Sequence, residues 1–176
     1  MADVVIWDST ERSPELRHEL PIGIGDPFLY VERDGVRHVV IGSLEIPRIE
    51  ELDSLEVHPP EEFGSDELIQ SGLTREAALL EVAARACTAL GLTLAAVPAT
   101  FPVQVADRLR AEGIELEPRS ELFDLRRRTK TPAELAGIRR AQAAAEAGMA
   151  AAAAPSAVKK VRRSHVVIAS AIISTG

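Results

Sequence analysis

Four histidines, His18, His38, His58 and His165, are the side chains here best suited to hold a metal or move a proton. They lie far apart in sequence, without the short intervals that mark a ligand pair. Each therefore reads as a surface histidine or one satisfied by its neighbours. Asp3, Asp8 and Asp26 form a possible carboxylate cluster of the kind that binds two metals in nucleases. Acids in loops and at strand ends read more simply as solvated groups. Gly23-Ile24-Gly25 is a Gly-x-Gly that lacks a third glycine and a clear preceding strand, so it reads as a loop and not a phosphate cradle. No Ser, Cys or Thr sits in a nucleophile-elbow setting, and there is no Walker loop. Cys87 falls in a helical pattern and reads as a small buried hydrophobe, not a reactive thiol. The segment from Arg12 to Arg17 carries mixed charge. It reads as surface helix charge, with an arginine fork for a partner carboxylate as the alternative. The residues alone assign no catalytic, cofactor-binding or metal-binding position.

The elements that would position these groups follow from periodicity and punctuation. Val4 to Trp7 is a short strand, and Ser13-Pro14-Glu15 opens a helix with proline in its first turn. Pro21 to Pro27 is a loop. Phe28 to Glu32 and Val36 to Ile41 are strands, joined by the turn signal Arg33-Asp34-Gly35. Leu44 to Leu52 reads as a short helix and Ser54 to His58 as a strand ended by Pro59-Pro60. Leu73 to Leu90 is the strongest helix of the body, with Leu79, Val82, Ala86 and Leu90 on one face and Gly91 as its stop. Thr93 to Val97 is a strand, Pro102 to Glu112 a helix with Val105 and Leu109 inward, and Ile114 to Glu117 a strand. An early hairpin followed by strands alternating with helices predicts an α/β fold: a mixed β-sheet, parallel in its later part, with helices on both faces.

Composition narrows the class. The chain has 176 residues and is 46% hydrophobic but only 3% aromatic, so Leu, Ile, Val and Ala must build the core. One cysteine excludes an internal disulfide framework and fits a reducing, cytoplasmic setting. The N-terminus has no basic segment before its apolar run, so no signal peptide is expected. The apolar stretch from His165 to Ile173 is about half the roughly 20 residues a membrane-crossing helix needs. The net charge of −7 divides unevenly. Residues 1–124 carry 25 acids against 10 bases, and residues 125–176 carry 2 against 10. The acidic body argues against nucleic-acid binding, and the basic part reads as a solvated or mispaired face, with phosphate binding as the alternative.

One stretch stands apart: DLRRRTKTPAELAGIRRAQAAAEAG, Asp124 to Gly148. Thr131-Pro132-Ala133-Glu134 has the form of a capping box with proline at the first helical position. Leu135, Ile138, Gln142, Ala145 and Met149 then share one mostly apolar face, and the alanine run extends the helix to Ala154, before Pro155. The organisation expected is a body over 1–124, a linker and leading helix over 125–154, and a tail of different character over 155–176. As a simpler account, the helix packs back on its own domain.

Here a family resemblance enters. RSPELRHELPIGIGDPFLYVE, within Arg12 to Glu32, GVRHVVIGSLEIPRIEEL, Gly35 to Leu52, and LRRRTKTPAELAGIRRAQAAAEAGM, Leu125 to Met149, resemble the N-terminal, creatinase-like domain of the proline-peptidase family. That family comprises aminopeptidase P, prolidase and creatinase. The resemblance covers Ala2 to about Ala153 and implies a ribonuclease-H-like α/β domain followed by a pita-bread metallopeptidase domain. In the full-length enzyme two divalent metals, Mn, Co or Zn, held by two Asp, one His and two Glu, would activate water against the bond preceding proline. It implies a homodimer, with the N-terminal domain helping to form the dimer and walling the pocket for proline-containing peptides.

The chain departs from that pattern after Asp124. No aspartate follows, and only Glu134, Glu146 and His165 remain as metal-ligand types. The five-ligand set cannot be assembled, so no catalytic residue, metal or cofactor carries over to this chain. Pro155 to Gly176 does not resemble the family's continuation. A truncation, a shifted reading frame and a genuine short tail are the open explanations. The reading is therefore a non-catalytic N-terminal domain, or fragment, of a proline-specific metallopeptidase. The alternative is a stand-alone protein- or peptide-binding module. A third, a nuclease using Asp3 or Asp8, is expected to show no activity.

Overall fold

In a computed structural model of the chain, residues 2–52 and 54–153 are described. Six strands form one mixed sheet in the order β4-β3-β2-β1-β5-β6. They are β1 (Val4–Asp8), β2 (Phe28–Arg33), β3 (Val36–Val40), β4 (Glu56–His58), β5 (Leu94–Val97) and β6 (Glu115–Pro118). Strand β2 runs antiparallel to β1 and β3, while β3–β4, β1–β5 and β5–β6 are parallel. The antiparallel start and parallel finish agree with the sequence expectation. The β2–β3 hairpin turns through Asp34 and Gly35, whose positive φ values of 51° and 81° give the two-residue turn that suits strand twist.

Alternation along β1 explains why both faces are covered. Val4 and Ile6 point into one apolar layer with Tyr30, Val39, Ile41, Leu16, Leu20 and Phe123. Val5 points into the other with Leu29, Val31, Val40, Val82, Cys87 and Leu109. The first layer belongs to helices α1 (Pro14–Glu19), α2 (Ile46–Ile49) and α6 (Ser120–Arg128). The second belongs to α3 (Ser65–Gln70), α4 (Arg75–Ala89) and α5 (Val103–Ala111). Each fully buried aliphatic side chain contributes about 1.5–3 kcal/mol, before the entropy of ordering is subtracted. Of the α4 face expected from sequence, Val82 and Ala86 are buried while Leu79 and Leu90 are half-buried. The packed face is shifted toward Ala78, Ala83 and Cys87 because small residues let the helix lie close to the sheet. Val105 and Leu109 point inward, as expected.

Three differences from the sequence reading have local causes. Helix α2 is one turn, Ile46–Ile49, where Leu44 to Leu52 was the expectation. Leu44 is 93% exposed and so contributes no burial that would extend it. A 3-10 turn, Pro60–Phe63, and α3 follow β4 in a stretch without an assigned element. Helix α6, Ser120–Arg128, lies in a stretch to which the sequence reading assigns no element. Its acidic first turn (Glu121) and basic last turn (Arg126, Arg127 and Arg128) match the helix dipole, and Phe123 anchors it in the core.

The chain divides into two compact units, Met1–Leu135 and Ala136–Gly176. Helix α7 (Pro132–Ala153) starts in the first and continues into the second. Its start is the capping box read from sequence. The Glu134 amide donates to Thr131 Oγ1 at 3.2 Å, and the Thr131 amide donates to Glu134 Oε2 at 2.8 Å. None of its residues is buried, and Leu135, Ile138 and Met149 are exposed. No described helix is long and apolar enough to cross a membrane. The tail reading, 155–176, and His165 lie outside the described residues.

Candidate functional site

Two polar clusters stand out, one on each face of the sheet. The first is built by the β3–β4 ladder. Parallel pairing sets His38 opposite Glu56 and Val40 opposite His58. Because side chains alternate, Glu56 and His58 emerge on the same side as His38. His38 Nδ1 lies 3.3 Å from His58 Nε2 and 3.2 Å from Glu56 Oε2. The two imidazoles stack with centroids 5.5 Å apart and planes at 26°. His58 Nδ1, the nitrogen pointing away from His38, meets Glu62 Oε2 at 2.9 Å. The Phe63 ring is tilted against that of His58, with centroids 5.9 Å apart. The His38 side chain is 10% exposed, and the other members are progressively more open. Burial holds the His38 imidazole below the usual histidine range; Glu56 works in the opposite direction. Its neutral form, with a free lone pair, is thereby favoured. From sequence alone His38 and His58 read as separate residues, each at the surface or satisfied by its neighbours. The structure brings them together, because strand pairing closes a sequence separation of 20 residues.

The second cluster joins α6 to α1 and β2. Arg126 Nε lies 3.0 Å from Glu19 Oε1, and another of its nitrogens donates to Glu32 Oε2. The Tyr30 hydroxyl, within a fully buried side chain, lies 3.3 Å from a carboxylate oxygen of Glu19 and 3.3 Å from one of Glu32, and its single proton serves the two between them. Burial and the two carboxylates push the Tyr30 phenol far above its ordinary value. Burial opposes the charge on Arg126, but Glu32 and Glu19 outweigh it and raise the guanidinium's pKa. Arg127 spans Glu15 at 3.4 Å and Asp124 at 2.7 Å. Where α7 begins, Glu134 Oε1 lies 3.0 Å from His18 Nδ1 on α1. Burial raises the Glu134 carboxyl, yet the Thr131 amide and His18 bring it below the usual range. This cluster can anchor a segment. It offers no exposed nucleophile and no open general acid or base.

The remaining candidates separate. Asp8 ends β1, pairs with Arg12 at 3.2 Å and accepts from the Ser9 amide at 2.7 Å. Asp3 precedes the opposite end of the same strand. Among the described residues, Asp3, Asp8 and Asp26 do not form a group able to hold a metal; His38, Glu56 and His58 do. Gly23-Ile24-Gly25 is a loop held by Thr10, whose hydroxyl donates to the Ile22 carbonyl and accepts from the Ile24 amide. It leads into β2 and not a helix N-terminus, so it lacks the phosphate-binding context. Arg17 donates to the Ile22 carbonyl at 2.9 Å. Cys87 is fully buried and its thiol is pushed up to about 12 by burial, in keeping with the inert reading.

Sequence reasoning did not single out Glu56, Glu62, Glu19, Glu32, Tyr30 or Arg126. The one local signal was the Glu56-x-His58 alternation in a strand, which places both side chains on one face whatever the partner strand. No protein-family model matches the chain, and no curated protein matches it.

Proposed function

We propose that this chain is the non-catalytic N-terminal domain of a proline-specific metallopeptidase, a creatinase-like domain whose task is to position a following catalytic domain and to wall its pocket. The observation that supports this reading most is the anchoring of the segment from α6 to the start of α7. Arg126, Arg127 and Glu134 bind Glu19, Glu32, Glu15 and His18 on the first unit. A covalent tether that only joined domains would gain nothing from such pairing, whereas a joint that sets where a helix starts requires it. The six-stranded mixed sheet between two helical layers fits the fold that the family resemblance implies. The apolar stripe of Leu135, Ile138 and Met149 is the kind of surface a catalytic domain or a dimer partner covers.

In this reading no residue of the chain performs hydrolysis. The test is cleavage of Xaa-Pro dipeptides by the purified chain with added manganese. No turnover is expected, and robust metal-dependent turnover overturns the proposal. The genomic sequence after the Gly176 codon separates this from a stand-alone binding module. A frame encoding the Asp-Asp-His-Glu-Glu ligand set supports the peptidase reading, and an unrelated gene after a stop supports the module.

A further inference from the structure

We propose that His38, Glu56 and His58 form a zinc-binding site on the β3–β4 edge of the sheet, with Glu62 as the outer partner of His58. The site lies in the first unit and does not rest on the peptidase reading.

Three features carry the assignment. First, donor types and positions agree. His38 Nδ1, His58 Nε2 and one Glu56 carboxylate oxygen all lie within 4.8 Å of one another, from residues fixed by strand register. Second, the spacing is that of a tetrahedral edge. Ligands at the Zn–N distance of about 2.0–2.1 Å stand about 3.3 Å apart around a tetrahedral ion. The observed separations from His38 Nδ1 are 3.3 Å to His58 and 3.2 Å to Glu56. Third, the outer shell is built. Glu62 holds His58 Nδ1 at 2.9 Å, which fixes the tautomer and aims Nε2 at His38. Carboxylate–histidine–metal relays of this form orient metal ligands and raise their basicity.

With both imidazoles neutral and His58 Nδ1 protonated toward Glu62, His58 Nε2 carries a lone pair and only a proton on His38 Nδ1 bridges the two nitrogens. A divalent cation satisfies both nitrogens and the carboxylate at once. Two imidazoles and one carboxylate suit borderline ions such as zinc and not magnesium or calcium, which prefer all-oxygen shells. Three protein ligands leave a fourth position for water or for a donor atom of a partner.

The experiment is zinc titration of the full chain, first stripped with chelator, in competition with a colorimetric chelator. One zinc per chain is expected. Cobalt(II) in its place should give the intense visible bands of a tetrahedral field. His58→Gln should weaken binding by more than about 100-fold, and Glu62→Gln by about 10–100-fold. His165→Gln should leave it unchanged, which separates this site from zinc held by the tail. Circular dichroism checks the fold of each variant. If His58→Gln is misfolded, the exposed Glu62→Gln and Glu56→Gln variants decide. The proposal fails if the wild-type chain binds no stoichiometric zinc, if a folded His58→Gln, Glu56→Gln or Glu62→Gln variant binds it with wild-type affinity, or if His165→Gln abolishes binding.

Discussion

Replacing Arg126 by methionine tests whether the α6 joint is held by charge. The side chain keeps its length and apolar stem but loses the guanidinium that bridges Glu19 and Glu32. Both carboxylates are nearly buried, at 10% and 9% side-chain exposure, and they face each other and the Tyr30 hydroxyl. Breaking one partner out of a buried pair costs about 3–5 kcal/mol, since the stranded charge keeps its desolvation penalty. Arg126 retains 22% of its side-chain exposure, so water can enter the vacated position. The expected loss is therefore near the lower end, about 3 kcal/mol. Against a total stability of about 5–15 kcal/mol this is large. Urea unfolding followed by the fluorescence of Trp7, the single tryptophan, measures it. Arg126→Lys keeps the charge but cannot fork between two glutamates, and should lose about half as much. Glu32→Gln in the Arg126→Met background removes one of the two repelling charges and should restore part of the loss. A loss below about 1 kcal/mol, or strict additivity of the double variant, refutes the argument, because a surface ion pair would behave that way.

Two further predictions concern the framework around the clusters. Arg108 forks onto Glu81 at 2.7 and 2.8 Å and holds its carboxyl below the usual range through those hydrogen bonds, against an opposing effect of burial. Stability from a lowered carboxyl is complete above its unfolded value and is lost as pH falls through the native one. Glu81→Gln should thus destabilise by about 1 kcal/mol at pH 7, with the gap closing in acid; thermal melts from pH 7 to pH 3 check this, and a gap independent of pH would count against it. Gly35→Ala should cost about 1–2 kcal/mol by forcing a β-carbon into a left-handed conformation. The cost there is backbone strain alone, as no atom lies within 4 Å of the added carbon, so an unchanged midpoint in urea would contradict the turn assignment.

The parts of this fold that the sequence made legible are those whose information is local. Ser13 caps α1 by accepting from the Leu16 amide three residues on, and Thr131 with Glu134 caps α7 over the same span. Asp34-Gly35 specifies its turn by the conformation of two residues. Helix α6 was illegible because its helicity depends on Phe123 reaching a core built by β1, β2 and α1. The histidine pair was illegible because it needs the β3–β4 register, which neither strand states alone.

Charge is the most telling case. The basic segment after Asp124 reads from sequence as a solvated face beside an acidic body. The structure pairs two of those bases, Arg126 and Arg127, with acids of the body. Glu32 and Arg126 are 94 residues apart in sequence, and Glu15, Glu19 and Glu32 serve as counter-charges to Arg126 and Arg127. An excess of one sign in each half of a chain is what an internal electrostatic latch looks like before the chain is folded. The net charge of a segment says how many partners it needs and not whether those partners are solvent, another molecule or the same chain.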